Sequence, residues 1–310
     1  MIFNKNDNGA QELRELTGSY FANNEFGKIA GIVEQVQDET AAIIGADTME
    51  ALEALYLADN DNNHCVMWVR KVIATMATLR LYRSNDLSHE DDGRKFKIDA
   101  GNEKIPWEWQ LNRDDRIILE SHYAALDNLL RNLGESNIAS FKQTQSYQIS
   151  KSLLIRSADQ MFFFNGIKDY YVYFTMIPYL LEAQKQVKKA YGEGLDQLTG
   201  DNNDGTAHIE NEVAYAAAMA ESLLASAIML ERQELKLIPY GFVKQVNTEG
   251  GMEQNPPSAS EVREYGERLR MDAIYWLREM KKLRDIAAST EIYKSTIDDK
   301  NDRHNKFFRL

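Results

Sequence analysis

The chain has one cysteine, Cys65, in 310 residues. No intrachain disulfide can form, which fits a reducing compartment. It also lacks an excess of basic residues: 36 Lys and Arg against 48 Asp and Glu leave a net charge of −12. Phosphate neutralisation needs clustered Lys and Arg, so this balance argues against a general nucleic-acid binder, and against an anionic membrane surface. The opening residues, MIFNKNDNGAQ, hold no apolar core of the signal-peptide kind. Catalytic signatures are missing as well. There is no P-loop and no G-x-S-x-G elbow, and the GEGLD stretch at 192–196 follows a helical pattern rather than a strand and lacks a third glycine. His64, His89, His122, His208 and His304 form no i,i+4 pair, and Cys65 has no second cysteine nearby. No zinc site, catalytic group or cofactor site is expected.

What is present is enough apolar material for a packed core: 44% hydrophobic and 10% aromatic residues. The richest stretch is VAYAAAMAESLLASAIML (213–230), in which seven of eighteen residues are alanine and Glu221 is the single charge. A mid-run glutamate is expensive in hydrocarbon, so the stretch reads as a helix buried by other helices rather than a membrane span. Alanine keeps helix propensity high and lets backbones approach closely.

The chain reads as one plan used twice. A shift of 147–149 residues lays Phe26, Ile29 and Glu34 on Phe174, Ile177 and Glu182, and Val66, Trp68, Val72 and Met76 on Val213, Tyr215, Met219 and Leu223. Gly93 falls on Gly241, and Leu129, Leu130 and Leu133 on Trp276, Leu277 and Met280. Each copy has an opening amphipathic helix (26–44 and 174–192), a polar loop, a long apolar helix, an extended segment and a closing helix. In the first copy DAGNE (99–103) reads as a hairpin turn, and the closing helix is expected from Asn112 to Gly134. In the second copy Pro239-Tyr240-Gly241 stops the long helix, and Ser258 with Glu261 forms a capping box for the last one.

The expected fold is therefore mainly α: two tandem related helical bundles, each with a short β-hairpin or extended segment. Residues 1–133 form the first repeat, 134–173 a linker and aromatic bridging segment, 174–287 the second repeat and 288–310 a C-terminal arm. The early linker reads as irregular with one strand, and SADQMFFFNGI (157–167) as a short helix. Residues 293–310 carry five Lys/Arg against three Asp, whereas 1–56 carry three against ten Asp/Glu. A basic arm on an acidic body suits an arm exchanged between subunits, with Phe307, Phe308, Arg309 and Leu310 as its anchor; a frayed terminus is the other reading.

Other constellations have plainer readings. DNNDGTAHIENE (201–212) places Asp201, Asn203 and Glu212 at EF-hand positions, but its glycine, Gly205, falls at position five instead of six, so Asx turns and capping are expected in place of calcium. Cys65 beside His64 is expected to be a small buried side chain, not an activated thiol. Asp91-Asp92 and Asp114-Asp115 are read as solvated charge and first-turn partners of a helix dipole. The cluster Phe162, Phe163, Phe164, Tyr170, Tyr171 and Tyr173, with Lys168 as the neighbouring cation, is read as packing between copies or against another subunit.

LTGSYFANNEFGKI (16–29), LLIRSADQMFFFNGIKDYYVYFTMIPYLLEAQKQV (153–187) and ASAIMLERQELKLIPYGFVKQ (225–245) resemble a family of about this length from Bacteroidetes phages and prophages. The helix–loop–long apolar helix–turn plan resembles, more distantly, the head–tail connector (head-completion adaptor) proteins of tailed phages. In that family an alanine-rich helix ends in a Glu-Arg-like pair, matched here by Glu231-Arg232; the first copy has Arg83. The resemblance implies a virion protein of the neck, made in the host cytoplasm. It would form a twelvefold homo-oligomeric ring that joins portal to tail proteins and passes DNA without gripping it. Negative charge in such a lumen repels phosphate and eases passage. A ring protein of this kind needs no small-molecule substrate and no membrane. The other class left open is a non-viral helical scaffold or regulatory protein-binding module.

Overall fold

A computed structural model describes residues 1–18, 25–58, 63–85, 88–90, 93–95, 108–192, 195, 211–232, 244–248, 251–255 and 258–300. Side chains are described for 1–18, 25–58, 63–84, 110–192, 195, 211–232 and 258–289. The protein is mainly helical. Its contacts divide it into two compact units, residues 1–148 with 169–171, and residues 149–168 with 172–310.

In the first unit, α1 (Gly9–Thr17) and a 3-10 turn (Phe26–Lys28) precede α2 (Ala30–Ile44), α3 (Ala46–Leu57) and α4 (His64–Asn85). A short antiparallel pair follows, β1 (Ser88–Glu90) with β2 (Gly93–Lys95), then α5 (Glu108–Glu135) and α6 (Ala139–Gln143). Helix α4 is the centre, with α1, α2, α3 and α5 packed on it. Val66, Val69, Val72, Ile73, Ala74 and Ala77 are fully buried along it, which is why it is apolar on most sides. Helix α2 buries Val33, Val36, Thr40 and Ile44, spaced three and four apart, and ends where Gly45 takes φ 96°, a conformation that disfavours side chains. Helix α5 adds Leu126, Leu129, Leu130 and Leu133 to the core, each worth about 1.5–3 kcal/mol of burial.

This unit also closes over a polar knot. Glu12 of α1 accepts hydrogen bonds from the Tyr56 hydroxyl (2.9 Å) and the Asn4 amide (3.1 Å), and pairs with Arg70 of α4 at 3.1 Å. The Arg70 guanidinium lies over the rings of Phe3 and Tyr56. Burial is the main cause pushing the Tyr56 hydroxyl up to about 12. The knot ties the N-terminal segment to α3 and α4, with Ile2 and Phe3 buried beside it.

The second unit takes the second half of α7 (Gln145–Ser152), then α8 (Ala158–Asn165) and α9 (Tyr170–Tyr191) from Val172 on, with α10 (Glu212–Arg232). An antiparallel pair, β3 (Lys244–Thr248) with β4 (Gly251–Asn255), precedes α11 (Ala259–Lys300). Every residue from Ala220 to Leu230 is buried. Helix α10 packs on α8 and, along most of its length, on α11, which offers Gly266, Ala273 and Met280 at seven-residue spacing as a buried seam. Small residues on both helices allow that approach. Helix α10 is long and apolar enough to cross a membrane, yet 83% of its apolar window is buried inside the protein.

Several expectations change. Residues 137–152, read as irregular with one strand, form α6 and α7, each short and locally capped: the Thr144 hydroxyl accepts from the Tyr147 amide. Helix α5 starts at Glu108, not at Asn112, so Asp114 and Asp115 lie beyond its first turn. Asp115 is instead an ion-pair partner of Arg83 at 2.8 Å. Helices α1 and α3 lie outside the five-element plan expected from sequence. The capping box is present: Glu261 Oε2 accepts from the Ser258 amide at 2.9 Å and the Ser258 hydroxyl accepts from the Glu261 amide at 3.3 Å. The DAGNE turn and Pro239-Tyr240-Gly241 lie outside the described residues.

Candidate functional site

Phe307, Phe308, Arg309 and Leu310, the interface residues expected from sequence, lie outside the described residues, as do Asp201, Asn203 and Gly205 of the calcium-like loop. Next to that loop, Asn211 caps α10, its side-chain oxygen accepting from the amides of Val213 (3.0 Å) and Ala214 (3.2 Å). Cys65 is buried, and burial pushes its thiol up, the opposite of what a reactive thiolate requires. Among the described residues no three His, Cys, Asp or Glu side chains gather as a metal site.

The aromatic cluster disperses into different roles. Phe164 stacks on Tyr215, which meets Trp276, giving a ring chain through α8, α10 and α11. Tyr171 meets Tyr123 in the first unit. Tyr173 donates its hydroxyl to the Ile155 carbonyl at 3.0 Å. Phe162 and Phe163 stay exposed at 48% and 68%.

Two arrangements could have chemical consequences. The first is an open groove of about 950 Å³ in the first unit, lined by Glu15, Lys71, Thr75, Tyr82, Asp114 and Asp115 among others. Beneath it lies His122, whose Nδ1 is 3.0 Å from the Val72 carbonyl and 3.4 Å from the Thr75 hydroxyl. Burial pushes the His122 pKa below its ordinary value, so the neutral ring spends its Nδ1 hydrogen on the Val72 carbonyl. The Thr75 hydroxyl in turn donates to the Lys71 carbonyl at 2.8 Å. A nucleophile needs a base with a free lone pair facing it, and this pair is committed to helix carbonyls.

The second is the buried carboxyl of Glu221, fully enclosed at the middle of α10. Its oxygens face the amides of Leu154 and Ile155 but outside normal hydrogen-bond geometry. Desolvation dominates and pushes the carboxyl well above the ordinary carboxylate range, favouring its neutral form. The bend it meets, Leu153–Ile155, is buried and non-helical; Gln184 donates to the Ser152 carbonyl at 3.0 Å on one side of it and Tyr173 binds the Ile155 carbonyl on the other. The sequence flagged Glu221 as the one charge in an apolar run, but gave no sign of the bend that meets it.

At the end of α10 the Glu-Arg pair is a set of ties. Arg232 makes a two-pronged bond to Glu182 of α9 (2.5 and 2.9 Å), and Arg270 of α11 donates to Glu231 from Nη2 (2.7 Å to each oxygen) and from Nε (3.2 Å). In the first unit, Arg80 near the end of α4 clasps Glu39 of α2 (2.9 and 2.5 Å) while Arg83 reaches Asp115 of α5. No known protein family, curated protein or solved structure matches this chain.

Proposed function

We propose that the protein is a structural component of the neck of a tailed phage: a connector whose subunits form a homo-oligomeric ring joining portal to tail and passing DNA. The observation that carries this reading is the buried, alanine-rich α10 closed at its end by the Glu231 and Arg232 ties, the feature of the sequence that resembles connector proteins. The net charge of −12 supports a conduit that repels its cargo. We further propose that the two units are related bundles descended from one plan. In each, a central apolar helix is clasped near its end by arginine–carboxylate pairs to the helices on either side, and a short antiparallel pair follows it.

The test is negative-stain imaging of purified protein with candidate portal assemblies. Density capping the portal supports the reading; portals left bare at micromolar protein overturn it. The exposed Phe162 and Phe163 favour a second reading, a non-viral scaffold or regulatory module that binds other proteins through this surface.

A further inference from the structure

Helix α11 presents two faces of different character. One carries Gly266, Ala273 and Met280 against α10. The opposite face exposes Met271 (68%), Tyr275 (57%) and Ile286 (51%), large apolar side chains of the kind a soluble surface keeps scarce in one row. Arg278, Glu279 and Lys282 lie on the same side, so that residues 271, 275, 278, 279, 282 and 286 fall within an arc about 100° wide. The helix runs on to Lys300, twice the length of the α10 it packs on.

The order of side chains along this face is self-complementary. Reversed and laid on itself about a point between Arg278 and Glu279, it sets Arg278 opposite Glu279, Tyr275 opposite Lys282 and Met271 opposite Ile286, each pair occurring twice. The pairings are an ion pair, a cation over an aromatic ring and an apolar contact. Parallel alignment would instead set Arg278 on Arg278 and Lys282 on Lys282. We infer that this face of α11 binds a second copy of the chain, as an antiparallel helix pair related by a two-fold axis between Arg278 and Glu279. Such an interface is isologous, the same patch on both subunits, and does not by itself close a ring. It therefore stands apart from the neck reading.

The experiment is sedimentation of the full chain across about 1–100 µM, a range that captures ordinary homodimers, with Arg278→Glu and the swap Arg278→Glu/Glu279→Arg. Arg278→Glu puts like charges together twice and is expected to weaken self-association more than about tenfold, or to halve the mass of any larger particle. The swap restores the pairing and the mass. Both positions are surface sites on a helix, so circular dichroism is expected to remain that of wild type. A wild-type monomer throughout the range overturns the inference. So does a wild-type assembly whose mass Arg278→Glu leaves unchanged, or one that the swap fails to restore.

Discussion

Glu221→Gln should make the protein more stable at neutral pH, and increasingly so as pH rises. In the folded state burial holds the carboxyl pKa well above its ordinary value of 4.5, whereas the unfolded chain ionises near that value. Below 4.5 both states carry the proton and the group costs nothing. Above it the unfolded chain releases its proton while the folded chain keeps it, so stability falls as pH rises until the folded pKa is passed. The slope of that loss reaches about 1.4 kcal/mol per pH unit for one group. The amide of glutamine has nearly the same shape and keeps an oxygen toward the Leu154 and Ile155 amides without titrating. Urea unfolding of both proteins at pH 5, 6, 7 and 8 should give curves that diverge from pH 5 upward, the glutamine form gaining until the folded pKa of Glu221 is passed. Parallel curves would refute the reasoning, because they would mean that Glu221 ionises in the folded protein as it does in water. Glu221→Leu also removes the titration, so its stability curve is expected to share the pH dependence of the glutamine form.

Two further outcomes are expected. Glu12→Ala leaves Arg70 charged and nearly buried and takes the acceptor from Tyr56 and the Asn4 amide, so it should cost about 3–5 kcal/mol; a loss under about 1 kcal/mol in urea unfolding would mean the knot contributes little. His122 has the opposite linkage to Glu221. Its folded pKa lies below the ordinary value of 6.5, so its stabilising contribution is complete above 6.5 and is lost as pH falls. His122→Asn, which retains a donor for the Val72 carbonyl, should flatten the acid limb of the stability curve below pH 6.5. An unchanged slope would show that the ring protonates freely in the folded state.

Local signals in the sequence carried far. Ser258 and Glu261 mark a helix start because a hydroxyl and a carboxylate three residues apart can satisfy each other's amides without help from elsewhere. The run from 213 to 230 marks a buried helix because nothing else accommodates so many small apolar residues around one charge. Helix α3 is hidden in the sequence although Thr48, Met49, Leu52 and Tyr56 have helical spacing, because Gly45 breaks the pattern and the neighbouring Asp/Asn-rich loop dominates the local composition. Residues 137–152 carry a loop-like composition because Ser, Thr and Gln, common in loops, are here used as caps between two short helices. The Glu12–Tyr56–Arg70 knot and the meeting of Glu221 with the Leu153–Ile155 bend join segments far apart in the chain. No periodicity records such contacts; only the packing of α1 on α4 and of α10 within its unit creates them.

The central claim is that these packed helical units exist to be assembled. The most direct measurement is the mass of the purified full-length particle by native mass spectrometry at micromolar concentration. The account predicts a closed multiple of the 35.5 kDa chain, well beyond two copies and with little free monomer. A population of monomers alone, or of dimers that never grow, would contradict it.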